Sequence, residues 1–321
     1  MIRKIWTVLV WPVSLLWMLG CYIKLLLTKS KKADVPIVSI GNIEIGGTGK
    51  TPLTIEVAKI IGNFKSKMAI ICYAANNKYP DESLVIARAI KKAVIYCGKK
   101  RRDLVDKAIK NESDLIIIDD GFQYFDIKNK VDIILLDPSV PLNILIPAGR
   151  MRFPARFLKY ADAIVVRKAK DARRIFKKFL KKIEAYHKPI FFAEYQMQYL
   201  CDLQGNHIPV SILNNKKVIA ACGIAKPDGF IEMIGKSGAC EIYAVKYPDH
   251  FIYSDLDICE LEKLFHSVNA DMLITTEKDI VKLTKFPIDI PIYSIVAGFE
   301  IEPFEEFKDW LINKISICKS A

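Results

Sequence analysis

The run Gly46-Gly47-Thr48-Gly49-Lys50-Thr51-Pro52 constrains this chain more than any other stretch. It follows the short apolar run Pro36–Ile40 and opens an apolar-periodic segment that continues to Ile61 and stops at Gly62. A glycine-rich turn between a buried strand and a helix start points backbone N–H groups inward, where the positive end of the helix dipole reinforces them. Such a turn is built to cradle phosphate. Gly46, Gly47, Thr48 and Gly49 are expected to form the cradle, with Lys50 offering a cation to the β and γ groups and the Thr51 hydroxyl a ligand for Mg²⁺. Pro52 has no N–H to leave unpaired in the first helical turn. Glu44 departs from the general pattern G-x-x-x-x-G-K-[ST], standing where its first glycine belongs.

Further short apolar runs recur at 69–72, 93–97, 115–118, 131–136 and 163–166. Each is too short for a helix and lacks polar alternation, so strands buried on both faces are expected. Amphipathic segments such as Asp103–Lys110 separate them, which predicts an α/β fold with a parallel sheet sandwiched by helices. The run Leu115–Ile118 ends in Asp119-Asp120. A strand-end carboxylate beside a phosphate turn is where such folds hold a metal shell, so Asp119 and Asp120 join Thr51 as candidate Mg²⁺ ligands.

Between 189 and 212 the pattern approaches alternation, and Gly205-Asn206 supplies a turn; a two-stranded ribbon is expected. Beyond it, strands are expected near 218–222, 241–245, 272–275 and 292–295, with helices near 228–236, 255–267 and 305–315. The chain therefore divides into an apolar amino-terminal segment (1–32), a phosphate-binding lobe (33–188), a ribbon linker (189–212) and a second, smaller α/β lobe (213–321).

From Ile5 to Ile23 nineteen residues carry no charge, and Trp6, Trp11 and Trp17 are among them. That length can cross a bilayer core. Pro12 interrupts it, however, and basic residues stand on both sides, which equally suits a helix lying in the interface. Membrane association is expected in either geometry. A cleaved secretory signal fits poorly with a nucleotide-binding turn directly downstream.

The surplus of 48 Lys and Arg over 36 Asp and Glu, a net +12, favours an anionic partner. Nucleic acid would rest on that net charge alone and is not expected. The basic stretch Arg167–Lys188 carries Ile175, Phe176, Phe179, Leu180 and Ile183 at helical spacing, so it reads as an amphipathic helix covering the sheet, or as a face resting on anionic lipid. Eight cysteines without a CxxC pair, beside four histidines, exclude metal-finger spacing and suit a reducing compartment.

Ser39-Ile40-Gly41-Asn42, the Gly46–Pro52 turn and Asp119-Asp120-Gly121-Phe122-Gln123 resemble blocks of the tetraacyldisaccharide 4'-kinases. The similarity continues through Pro147-Ala148-Gly149, Arg152, Ala221-Cys222-Gly223-Ile224-Ala225-Lys226-Pro227, Pro248-Asp249-His250 and Thr275-Thr276-Glu277-Lys278-Asp279. The resemblance implies ATP- and Mg²⁺-dependent phosphorylation of the 4'-hydroxyl of an acylated glucosamine disaccharide 1-phosphate in lipid A biosynthesis. It places that activity at the cytoplasmic face of the bacterial inner membrane, on two α/β lobes joined by a β-ribbon. It assigns Lys50 and Thr51 to phosphate and magnesium, Asp119 and Asp120 to a second acidic motif, and Asp81 with His250 to a catalytic dyad. Without the resemblance, Asp81 reads as a helix cap and His250 as a turn residue. The chain departs from the family over Cys72–Asn77, where Arg-Gly-Tyr-Gly is usual, at Pro80, at Tyr124 in place of a histidine, and at Phe153 in place of an acid that helps hold magnesium.

Two rival readings remain. Asn129-Lys130-Val131-Asp132 matches the guanine-reading N-K-x-D pattern of GTPases, although it precedes a strand where a base-reading loop should follow one. A non-catalytic, membrane-associated nucleotide-binding protein is the other, motivated by Phe153 and the Cys72–Asn77 region.

Overall fold

The computed structural model describes residues 2–46, 48–62, 67–75, 80–168, 173–224, 227–249 and 251–320, with side chains described outside 2–9, 173–175 and 319–320. The chain forms two compact units: Met1–Lys78, Ile90–Tyr195 and Phe299–Ala321 make the first, Tyr79–Ala89 and Gln196–Gly298 the second.

The first unit is built on a parallel sheet. Its strands are β1 (Lys31–Gly41), β2 (Met68–Tyr73), β3 (Val94–Gly98), β4 (Leu115–Asp119), β5 (Ile127–Leu136), β6 (Ala163–Arg167) and the start of β7 (Ile190–Asp202), in the order β3-β2-β4-β1-β5-β6-β7. The apolar runs pay off here: Ile37, Val38 and Ile40 of β1 and Ile116, Ile117 and Ile118 of β4 are wholly buried. Each such side chain contributes about 1.5–3 kcal/mol relative to exposure. Ile40 opposes Asp119 on one side and Ile133 on the other. The phosphate turn and the acidic pair therefore leave the sheet at the same carboxyl-terminal edge, where open parallel sheets bind ligands.

Helices alternate with these strands along the chain. α1 (Ile2–Leu27) precedes β1, α2 (Lys50–Gly62) follows the turn, α3 (Asp81–Ala89) lies between β2 and β3, α4 (Arg101–Lys110) precedes β4, α5 (Arg173–Glu184) precedes β7, and one more closes the chain. α4 covers one face of the first unit's sheet through Val105 and Ala108. Over β5 and β6 the same face meets Phe179 and Ile183 of α5 and an aromatic layer of Phe122, Phe153 and Phe157. Lys177, Lys178, Lys181 and Lys182 of α5 stay exposed, as an amphipathic covering helix requires.

α1 runs unbroken through Pro12. Ser14 and Cys21 are buried against the protein, and Tyr22 and Leu25 pack on the aromatic layer, Tyr22 with its ring centroid 5.2 Å from that of Phe157. The opposite side of the same helix exposes Trp11, Leu16, Leu19 and Leu26.

In the second unit, β9 (Lys217–Cys222), β10 (Glu241–Lys246), β11 (Met272–Thr276) and the start of β12 (Ile292–Glu302) run parallel in the order β10-β9-β11-β12. The expected ribbon is the end of β7 with β8 (His207–Ile208), antiparallel with Leu200 opposite Ile208 and turning through Gly205 at φ +93°. α6 (Pro227–Lys236), α7 (Asp255–Ser267) and α8 (Glu277–Leu283) complete it. Ser254 caps α7 with a reciprocal capping box to Asp257.

Two segments settle where sequence order does not place them. α3 lies between two strands of the first unit yet packs in the second, against α8. α9 (Phe304–Ser320) follows the strands of the smaller lobe but closes the first unit, burying Phe307 and Leu311 and setting Phe307 edge-on to Phe191 at 4.9 Å.

Candidate active site

In the first unit the site starts where β1 ends. A Cβ on Gly41 would lie 2.5 Å from the Phe122 Cβ, so only glycine lets the strand and the Asp119–Phe122 segment approach this closely. The turn then runs from Asn42 to Gly49, with Gly46 at φ +116° and Gly49 at φ +99°, backbone that side chains with a Cβ rarely adopt. Gly47 lies outside the described residues. Glu44, at the pattern's first-glycine position, is buried, and its Oε1 accepts from the Asp137 N–H at 2.8 Å, tying the turn to the end of β5. Thr48 accepts from the Asn42 amide at 2.9 Å.

Lys50 and Thr51 open α2 and meet the two acids separately. The Thr51 hydroxyl donates to Asp119 Oδ2 at 3.3 Å, and the Thr54 hydroxyl to Oδ1 at 2.8 Å. Lys50 Nζ stands 3.8 Å from Asp120 Oδ1, the oxygen that Arg152 Nη2 also reaches at 2.8 Å. Arg152 further donates to the Asn42 side-chain carbonyl. Burial pushes the Asp119 carboxyl up, opposed by the Thr54 hydrogen bond and the charge of Lys50. Burial acts on Asp120 in the same sense, but Lys50 and Arg152 outweigh it and hold that carboxyl below the usual carboxylate range.

Several of these contributors carried no sequence signal of their own. Arg101 opens α4 inside a basic run, yet it is 1% exposed, donates to the Asp119 backbone carbonyl at 3.2 Å and lies over the Tyr124 and Tyr73 rings at 4.4 and 5.2 Å. Arg152 was legible as part of a family block, but its partners were not. Phe153, expected to weaken the metal shell, turns its ring into the aromatic layer, 5.4 Å from Phe157 and 6.2 Å from Phe122.

The apolar helix α1 meets this same region. The Trp17 indole N–H donates to the Arg152 carbonyl at 2.8 Å, and Ser14 donates to the Leu145 carbonyl at 3.1 Å. Lys24 lies 5.9 Å from the Tyr124 ring centroid.

In the second unit, Asp81 begins α3 and pairs with Lys282 at 3.0 Å, while Glu82 pairs with Lys278 at 2.5 Å. His250, the other member of the expected dyad, lies outside the described residues.

The N-K-x-D residues serve the sheet. Asn129 accepts from the Ala33 N–H at 3.0 Å and donates to its carbonyl at 3.2 Å, and the buried Asp132 pairs with Lys130. Lys130 opposes Ile37, four residues short of the end of β1 that leads into the phosphate turn. A guanine-reading role is thereby lost.

Residues 6–316 match the family model for tetraacyldisaccharide-1-P 4'-kinase. A tetraacyldisaccharide 4'-kinase of Bdellovibrio bacteriovorus is 31% identical over 273 residues, covering 78% of this chain and 80% of that protein. One from Syntrophobacter fumaroxidans is 29% identical over 308 residues, covering 88% and 81%. The crystal structure of the "apo" form of LpxK from Aquifex aeolicus in complex with ATP has the same fold, with a TM-score of 0.79 at 23% identity over 98% of this chain and 99% of that one. Phosphate turn, acidic pair and the strand–helix block at Thr275–Asp279 all fall inside the matched span, and the chain belongs to the tetraacyldisaccharide-1-P 4'-kinase family.

Proposed function

We propose that this protein transfers the γ-phosphoryl group of ATP to the 4'-hydroxyl of an acylated glucosamine disaccharide 1-phosphate lipid, the step that gives lipid IVA. Phosphoryl transfer asks mainly for positioning and charge neutralisation, and the first unit offers both. The turn Gly46–Gly49 binds the phosphate tail through backbone N–H groups. Lys50, now 3.8 Å from Asp120, exchanges that partner for the β and γ oxygens. Arg152 keeps Asp120 ionised and in place during the exchange.

Mg²⁺ fits the residues present. Thr51 and Asp119 place a hydroxyl and a carboxylate oxygen 3.3 Å apart, hard donors of the kind this ion prefers. Among the described residues no group of three or more His, Cys, Asp or Glu could hold a metal, so phosphate oxygens and water would complete the shell. When bound, the ion neutralises charge on the β and γ oxygens. Asp119 and Thr51 would hold it, while Asp120 holds the cations Lys50 and Arg152. Asp81, in the second unit, takes the proton of the acceptor hydroxyl.

One observation carries the lipid assignment. Trp17, on the side of α1 that meets the protein, bonds the backbone of the residue whose guanidinium grips Asp120, so the apolar helix borders the phosphate-transfer residues directly. With Ser14 and Cys21 buried on the protein, α1 attaches the enzyme to the cytoplasmic face of the inner membrane by lying along the first unit and inserting its exposed side. The test is to incubate the purified full chain with ATP, Mg²⁺ and the disaccharide 1-phosphate lipid and to weigh the product. A gain of one phosphoryl group on the non-reducing sugar is expected. Nucleotide turnover without lipid phosphorylation, or a product from GTP alone, overturns the proposal.

A further inference from the structure

Asp81 does not meet the second unit through a single contact. Lys278 and Lys282 stand one helical turn apart on α8 and face the consecutive carboxylates Glu82 and Asp81. Behind Lys282, at 3.6 Å, is Asp279, wholly buried. The second oxygen of Asp279 accepts from the Gly223 N–H at 2.9 Å and from the Thr276 hydroxyl at 2.7 Å. A Cβ on Gly223 would come within 3.1 Å of Asp279 Oδ1, a crowded contact that glycine avoids. The anchored acid fixes the Lys282 ammonium from one side and leaves its other side to Asp81. Glu82 has its own cation and does not compete.

We propose that Lys282 is a positioning residue for Asp81. Its ammonium, 3.0 Å from one carboxylate oxygen, favours the charged form of Asp81 and fixes where that group stands for the acceptor hydroxyl. This rests on the proton-accepting role assigned to Asp81 above. In the step it serves, the 4'-oxygen bonds to the γ-phosphorus as the bond to the β–γ bridging oxygen breaks. ADP leaves with that electron pair, and the hydroxyl proton passes to Asp81. Among the described residues, the charged and titratable groups around Asp81 include Lys282 and Lys278 from α8, Asp279 beyond Lys282, Glu82 on its own helix, and the Tyr253 and Cys222 side chains beside Asp279. Of these, Lys282 is the cation in direct contact, so its loss must make the carboxylate easier to protonate.

The test is the pH profile of kcat for the full chain on ATP and the lipid acceptor, for Lys282→Met, Lys282→Arg and Asp81→Asn. In Lys282→Met the acid limb moves up by about one pH unit, the low end of what an adjacent opposite charge produces, while KM for ATP is unchanged. Lys282→Arg restores the limb. If Lys282→Met fails to fold because Asp279 loses its cation, the double variant Lys282→Met/Asp279→Asn removes both charges and reads a smaller shift in the same direction, because Lys282 is the nearer charge. An unchanged acid limb in folded Lys282 variants, with Asp81→Asn inactive, overturns the role of Lys282 and spares that of Asp81. A normal rate in Asp81→Asn overturns the role of Asp81 and this inference with it.

Discussion

Replacing Gly49 with alanine asks the phosphate turn to accept one methyl group. The backbone there has φ +99°, and the new Cβ would lie 2.7 and 2.8 Å from two ring carbons of Phe299. That ring cannot swing aside, being 3% exposed and set edge-on to Tyr195 at 5.4 Å. Backbone strain of about 1–3 kcal/mol adds to overpacking of about 1–3 kcal/mol, so the variant should lose about 2–6 kcal/mol. Phe299→Leu removes the clashing ring atoms and leaves the backbone demand intact. In a double-mutant cycle the pair should therefore show a favourable coupling of about 1–3 kcal/mol. Urea unfolding followed by circular dichroism reads the cycle, and titration calorimetry reads ATP affinity. Affinity should fall in Gly49→Ala and stay low in the double variant, because the turn's N–H groups are misdirected in both. A single variant within about 0.5 kcal/mol of the parent, or a cycle without coupling, refutes the contact; parental ATP affinity removes Gly49 from the cradle.

Lys50→Ala should lower kcat by at least about 10²–10³-fold, the effect of losing one fixed stabilising group, with circular dichroism unchanged; near-normal turnover would count heavily against the phosphate role. Arg152→Ala should lose stability near neutral pH, read as thermal midpoints across the acid range. The depressed Asp120 carboxyl contributes stability that is present above its unfolded pKa and lost as pH falls through the folded one. The gap between variant and parent therefore narrows below about pH 4, and a gap independent of pH refutes the pairing. Leu16 and Leu26, 70% and 81% exposed, should each contribute about 1.5–3 kcal/mol to lipid insertion. Leu16→Gln/Leu26→Gln should then co-sediment far less with anionic vesicles at an unchanged thermal midpoint, and undiminished sedimentation would remove α1 from the membrane contact.

Much of the phosphate-binding half was legible because its determinants are neighbours in the chain. Glycines that turn the backbone, a lysine and a threonine at a helix start, and an apolar run ending in two acids each declare themselves within ten residues or so. The buried strands were equally local, since a run such as Leu115–Ile118 can satisfy its side chains only inside a sheet. The N-K-x-D match shows the reverse: four residues fit a pattern, and their place near the start of β5 gives them to the sheet.

Spacing along the chain could announce the turn, the acids and the apolar amino-terminal helix, because each is a demand that local backbone and side-chain chemistry imposes on its own few residues. Pairing across the fold was another matter. Arg152 reaches Asp120 over 32 positions, Trp17 reaches Arg152 over 135, and Lys278 reaches Glu82 over 196. Which charge meets which carboxylate depends on how strands order themselves in a sheet and which helix a loop delivers to which unit, and those choices are made by burial of whole faces at once.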